Sequence, residues 1–271
     1  SKKKKKTRAI VVVHQWGHPA DMDPILKIAK KYKLKVIEDC SHAHGSTYKG
    51  RAVGTFGNAA VFSLQAAKLI FAGEGGILVT NSQEIHDRAT LLGHYRDRSR
   101  DEIRNPFYQK FWVTGYGLKL RMSPYNAITA IYSLKSARKR IDERRKCLMY
   151  LTSKLKKYPE ITTPHIEEYA DMGAWYGYKP LFNEYLFKGF TRDDYIKELQ
   201  KEGVEVNAPG SPAFSSLPLF TIKDDQMFAD RKYKRIFKKG AFPNAELLAR
   251  TALSMPTFTN WSHSKPLMDQ Y

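Results

Sequence analysis

Cysteine is nearly absent from this sequence. Only Cys40 and Cys147 occur among 271 residues, so no disulfide framework can hold the fold and a reducing compartment is expected. Long apolar runs are missing too. The longest obvious one, Ala9–Val13, falls far short of the roughly 18 residues needed to cross a bilayer. The opening lysine run, Lys2–Lys6, precedes too short an apolar stretch for a secretory signal. These absences predict a soluble, cytoplasmic protein with no membrane partner. Acidic side chains are in the minority, 27 Asp and Glu against 46 Lys and Arg, for a net charge of +19. With 42% hydrophobic and 27% charged residues, wholesale disorder is excluded. The length suits one or two domains with a sizeable core.

Several chemistry-bearing patterns are also missing. There is no G-x-G-x-x-G, so Gly73-Glu74-Gly75-Gly76 is weak support for a dinucleotide site. No G-x-S-x-G elbow presents a nucleophilic serine. His14 and His18 stand four apart, but Gly17 and Pro19 oppose the helix that would align them as metal ligands, so no metal is expected. The positive charge attracts polyanions. It is dispersed over Lys2–Lys6, Lys27–Lys35, Arg138–Lys146, Lys154–Lys157 and Lys232–Lys239, with no zinc-finger, RNP-type or P-loop pattern beside it. Nucleic-acid binding is therefore a fallback reading.

What is present reads as α/β. Ala9–Val13 predicts a strand. Asp21 or Asp23 caps a helix with Pro24 in its first turn, and Ile25, Ile28, Ala29 and Tyr32 form one apolar face. Lys35–Asp39 follows as a second strand, completing a βαβ unit. Further strands are expected at Ala59–Leu64 and Gly76–Thr80. A helix over Gln83–Leu92 then leads to an arginine-rich loop through Arg104. From Pro124, the positions Ala127, Ile131, Leu134, Ile141, Leu148, Leu151 and Leu155 predict the stripe of one long basic helix. Beyond it the pattern gives a strand at Trp175–Phe182, a helix from Thr191 to near Gly203, a strand at Val204–Val206 and a helix over Asn244–Ala252. The domain expectation is a large domain over 1–124, then a linking helix and smaller α/β domain over 125–271.

Two residues stand out chemically. Asp39 ends an apolar strand, where open α/β sheets place ligands, although a turn or cap role fits that position equally well. Lys68 follows the strand that ends in Ser63-Leu64. A lysine there is a surface residue or, with a lowered pKa, a carbonyl-attacking amine. Pyridoxal phosphate enzymes pair such a lysine with an acid that keeps the pyridine nitrogen protonated.

The sequence resembles the DegT/DnrJ/StrS family of sugar aminotransferases, within the fold-type-I pyridoxal phosphate enzymes. The resemblance rests on Gly17-His18-Pro19-Ala20-Asp21-Met22-Asp23, Val36–Gly45, Gly54-Thr55-Phe56-Gly57, Phe62–Lys68 and Gly73-Glu74-Gly75-Gly76. It implies a three-layer large domain, incomplete at its N-terminal side, plus a smaller C-terminal α/β domain. It makes Lys68 the Schiff-base lysine and proton shuttle. Asp39 becomes the partner of the pyridine nitrogen, His42 a residue lying against the ring, and Ser63 a phosphate ligand. Lys119 or Arg121 would reach a neighbouring subunit's phosphate in a homodimer with a shared active site. The cofactor implied is pyridoxal 5'-phosphate. The implied reaction moves an amino group from glutamate or glutamine to a keto sugar, usually nucleotide-linked. Family members carry roughly 100 more residues before the strand near Ala9, including a phosphate-gripping helix N-terminus and a ring-stacking aromatic. None of that stretch is in this sequence, which leaves a non-catalytic binding homologue as the second reading.

Overall fold

The computed structural model describes residues 6–221, 237–238 and 240–271. The lysines at 2–5 and most of the basic stretch at 232–239 lie outside these residues. The chain divides into two compact units. The first comprises Ser1–Cys147, Ile166–Tyr176 and Thr259–Trp261, and the second Leu148–His165, Gly177–Phe258 and Ser262–Tyr271. The expected boundary at 124/125 falls inside the first unit.

The first unit opens with β1 (Ala9–Val13), α1 (Met22–Tyr32) and β2 (Lys35–Asp39). β1 and β2 pair in parallel, as the βαβ reading requires. The buried side of α1 is displaced from its expected face. Met22 and Ala29 are buried with Ile25 and Leu26 half-buried, while Ile28 is 44% exposed. Asp21 stands at the N-cap without a capping side-chain bond, because its carboxylate accepts from the Tyr48 hydroxyl instead. Two short strands follow, β3 (Thr47–Tyr48) and β4 (Arg51–Ala52), and then β5 (Ala59–Ser63) and β6 (Gly76–Val79). The main sheet runs β1-β2-β5-β6, the first three parallel and β6 antiparallel to β5.

Next come α2 (Gln83–Gly93), α3 (Asp97–Glu102), α4 (Pro106–Gln109), α5 (Pro124–Lys135) and α6 (Ala137–Leu155). The arginine-rich stretch expected as a loop thus contains helix α3, whose Arg98 and Glu102 pair across one turn. The long basic helix is two helices that break at Ser136. Ile141, Leu148, Leu151 and Leu155 are buried, but Ile131 and Leu134 on α5 stay exposed, because the break puts the two halves of the stripe out of phase. Beyond β7 (Ile161–Thr162), which belongs to the second unit, β8 (Ala170–Asp171) joins β3 and β4 in a small sheet of the first.

The second unit contains β9 (Leu181–Phe182) paired with β7, then α7 (Arg192–Lys201), α8 (Pro218–Thr221), α9 (Pro243–Thr251) and most of α10 (Trp261–Gln270). Helix α7 begins with a reciprocal capping box between Thr191 and Asp194, the start that the sequence signals. Of the strand expected over Trp175–Phe182, only β9 forms. Trp175 has φ 42°, which breaks an extended run, and Tyr178 makes an isolated bridge to Met255. Val204–Val206 is not a strand either; the nearest pairing is the bridge of Asn207 with Ser254.

Candidate active site

Parallel pairing sets Val13, Asp39 and Val61 in register, so the loops after β1, β2 and β5 leave the sheet at one edge. The loop after β5 closes on itself. Leu64 N–H donates to Gly75 O, Ala72 N–H to Leu64 O and Lys68 N–H to Gln65 O. Lys68 is carried on this closed loop, and its Nζ lies 3.8 Å from the centroid of the Tyr176 ring. No carboxylate among the described residues pairs with it.

Tyr176 belongs to a cluster of three near-parallel rings. Its centroid is 4.1 Å from His42 and 5.9 Å from Trp16, and Trp16 is 5.1 Å from His42. Trp16 reaches this position with φ 57°, and its main-chain N–H donates to His42 Nδ1 at 3.4 Å. Burial draws the His42 pKa down to about 4; the Lys68 charge adds to this and the Asp39 charge opposes it. His42 therefore feels both the amine and the acid singled out from the sequence. His44 is likewise brought down to about 4, first by burial and then by Lys68, and its buried Nε2 has no partner among the described residues.

The Asp39 Oδ1 accepts from Ser41 N–H at 3.0 Å, and its second oxygen has no hydrogen-bond partner among the described residues. Ser63 ends β5, and its Oγ accepts from Gln65 N–H at 3.3 Å. Lys119 and Arg121 lie elsewhere. Their segment follows α2, with Leu120 N–H bonded to Gly93 O at 2.8 Å and the Arg121 guanidinium 5.6 Å from the Tyr95 ring. The first unit thus brings Asp39, His42, Ser63 and Lys68 to one sheet edge and leaves Lys119 and Arg121 along α2.

Cys40 is wholly buried; burial, followed by the charges of Glu38 and Asp39, pushes its thiol far above the ordinary value, so it is no nucleophile. His14, Glu38 and Cys40 offer donor atoms within 4.8 Å of one another. Two of the three are already committed, since Glu38 accepts from His14 and three main-chain N–H groups while His14 Nδ1 accepts from Ala20, so His14 and Glu38 act as a hydrogen-bond network. A cavity of about 540 Å³ lies between β5, β6 and α2, lined by Phe62, Ile77, Leu92, His94 and Leu120, away from Lys68.

Trp16 and Tyr176 escape sequence reasoning. Trp16 sits in a glycine- and histidine-rich loop with no periodicity, and Tyr176 falls within what reads as a strand. The one local signal is the Trp16-Gly17 pair, where Gly17 at φ 102° leaves no room for a Cβ against Met172 O and Trp175.

The signature of the DegT/DnrJ/EryC1/StrS aminotransferase family matches residues 2–265. A GDP-perosamine synthase of Caulobacter vibrioides is 32% identical over 203 residues, covering 74% of this chain and 51% of that protein. An L-glutamine:scyllo-inosose aminotransferase of Streptomyces griseus is 48% identical over 101 residues, 37% of this chain and 23% of that one. The crystal structure of an aminotransferase from Psychrobacter cryohalolentis superposes with a TM-score of 0.77 at 26% identity, covering 99% of this chain and 67% of that chain. The shared architecture is that of fold-type-I pyridoxal phosphate-dependent aminotransferases, as the sequence resemblance implies. The chain spans 62% and 51% of the length of the first two curated relatives it matches.

Proposed function

The chain belongs to the DegT/DnrJ/EryC1/StrS aminotransferase family, and from that membership we propose that it serves a pyridoxal 5'-phosphate-dependent transfer of an amino group from glutamate or glutamine to a nucleotide-linked keto sugar. The observation that carries this reading is the pairing of Lys68, an amine with no carboxylate partner among the described residues, with Asp39 at one sheet edge around His42. The residues present fit the cofactor. Asp39 keeps one oxygen open for the N–H of a pyridinium, and the stacked rings of His42 and Tyr176 stand beside Lys68 as aromatic lining for the site. Ser63 offers a hydroxyl for the phosphate.

When bound, pyridoxal phosphate supplies an electron sink for the carbon that gains or loses the amino group. Lys68 would hold it through Nζ and would serve as the base that moves the proton at the reacting carbon. Asp39 would accept from the pyridine N–H through its open oxygen and so favour the protonated ring. His42, neutral because its pKa is drawn down to about 4, would line the ring without adding positive charge. The glutamine donor is supported by the name of the Streptomyces relative and the nucleotide-linked sugar by that of the Caulobacter relative. The net charge of +19 suits a diphosphate-bearing substrate.

The protein partner in this reading is a second copy of the chain. Tyr125, Ile128 and Tyr132 recur at i, i+3 and i+7 along α5 and are 82%, 53% and 68% exposed, an apolar stripe suited to burial between subunits. Lys119, which makes no hydrogen bond or ion pair among the described residues, is free to reach a neighbour's phosphate together with Arg121.

Absorbance of the purified protein with added pyridoxal phosphate, before and after borohydride, tests the reading in wild type and Lys68→Ala. A visible band that borohydride abolishes, with the label recovered on Lys68 by peptide mass mapping, is the expected result. No band in either protein overturns the enzymatic reading and leaves the binding role.

A further inference from the structure

Glu38 and Asp39 are neighbours on β2, so their side chains leave opposite faces of the sheet. Asp39 faces the candidate site, and Glu38 is wholly buried on the other side. The Glu38 carboxylate accepts from four donors: Gly54 N–H at 2.7 Å, Phe56 N–H at 2.8 Å, Gly57 N–H at 2.6 Å and His14 Nε2 at 3.2 Å. His14 Nδ1 accepts from Ala20 N–H at 3.1 Å, so the neutral ring carries its proton on Nε2, facing Glu38. The main-chain N–H of His14 also donates to Asp39 O at 3.1 Å. Burial alone would raise the Glu38 carboxyl; the bonds from His14, Gly54, Gly57 and Phe56 override it and hold it below its ordinary value. One buried anion thus ties the end of β1, the 18–20 loop and the 54–57 turn to the strand end that carries Asp39.

We propose that Glu38, braced by His14, is a positioning residue that fixes where the Asp39 carboxylate stands relative to His42 and Lys68. This deepens the aminotransferase reading and rests on it for the role of Asp39. The bonds leave little slack. A glutamine at position 38 has the same shape, but it must turn an NH2 toward either the Phe56 and Gly57 donors or the Gly54 and His14 donors. The turn and the strand end then separate, and Asp39 moves with them.

The experiment is a double-mutant cycle read first in cofactor-free protein, by NMR titration of the His42 ring. The charged and titratable groups around that ring are Lys68, Asp39 and His44, with Trp16 and Tyr176 as its stacking neighbours. Glu38→Gln is expected to move the His42 midpoint by about half a pH unit or more when Asp39 is present. In an Asp39→Asn background the same substitution is expected to leave it within about 0.1 unit. Equal shifts in both backgrounds, or none in either, overturn the proposal and make Glu38 a purely structural residue. Should Glu38→Gln fail to fold, His14→Gln enters the same cycle, since it removes the brace and keeps the three main-chain bonds. Pyridoxal phosphate titrations complete the test. Affinity falls about tenfold in Glu38→Gln and shows no further loss when Asp39 is already Asn. A wild-type protein that binds no cofactor sinks the aminotransferase reading, while the His42 cycle still decides the positioning role.

Discussion

The two sides of the main sheet solve opposite problems. At the end of β2, polar groups are buried and nearly all are satisfied: Glu38 takes four hydrogen bonds at 0% exposure. On β6, the edge strand beyond β5, apolar groups are exposed. Ile77, Leu78 and Val79 are 48%, 46% and 39% accessible, beside a cavity of about 540 Å³ lined largely by carbon. The first arrangement is directional, and losing one partner leaves several donors stranded in a low-dielectric interior. The second is non-directional; its side chains pack against whatever covers them and have little to lose individually. The candidate site adjoins the directional end of β2, where fixed charges and protons are available to a reacting centre.

The sharpest break in this contrast comes from Glu38→Leu. It strands the Gly54, Phe56 and Gly57 N–H groups and the His14 ring together, and is expected to cost about 3–5 kcal/mol in urea unfolding. A loss below about 1 kcal/mol would mean that water or a rearranged turn replaces the carboxylate, and the contrast would dissolve. Gly173→Ala is next. At φ 53° its Cβ would overlap Ser46 N and Gly45 C, main-chain atoms of the turn that follows His42 and His44, for a loss of about 1–3 kcal/mol by the same assay.

Acid sharpens the comparison further. The His44 pKa is about 4 in the folded protein, burial being the main cause, against an ordinary value of 6.5. As pH falls, the unfolded chain takes up this proton first, so the contribution of the neutral ring is complete above about 6.5 and is lost progressively towards 4. Glu38, held below its ordinary 4.5, adds a second loss beneath that value. Melting temperature should therefore fall between pH 7 and pH 4, and His44→Asn should flatten the upper part of the fall. A slope unchanged by that substitution would assign the loss to other groups.

Tyr178→Phe gives a benchmark in the second unit. It removes one buried bond, 2.8 Å to Thr152 Oγ1, and is expected to cost about 1 kcal/mol. Leu78→Lys on β6 is expected to change stability least, by under about 0.5 kcal/mol, while reducing self-association in light scattering. A large destabilisation there would show that β6 is packed in solution in a way that its exposure denies.

Much of the fold was legible because its signals are local. The βαβ unit announced itself through the β-branched run at Ala9–Val13, the helix start near Asp21 and the acid-ended strand at Lys35–Asp39. Helices α2, α7 and α9 were also expected from the sequence, and the Thr191 start of α7 is a local sequence feature, completed by Asp194 as a capping box. The failures were also physical. Ser136 interrupts a stripe that counting cannot interrupt, and Trp175 turns left-handed inside a run of good strand formers. Val204–Val206 has strand composition but, among the described residues, no neighbour to pair with beyond one bridge at Asn207. Asp39, His42, Ser63 and Lys68 could be singled out from the sequence because they occupy motif positions. Trp16 and Tyr176 were missed because what unites them is a shared face in space.

By itself the sequence determined the residue types at the sheet edge, the family they belong to and the order of most elements, since caps, periods and motifs act over a few residues. Only the tertiary structure decided what each charge meets. It stacked Tyr176 on His42 and laid Lys68 over that ring, and it gave Glu38 four donors drawn from two separate segments, the 54–57 turn and the loop after β1. Hydrogen bonds and pKa values depend on which atoms come within about 3 Å, and chain segments far apart in sequence reach that distance only when the whole fold has closed around them.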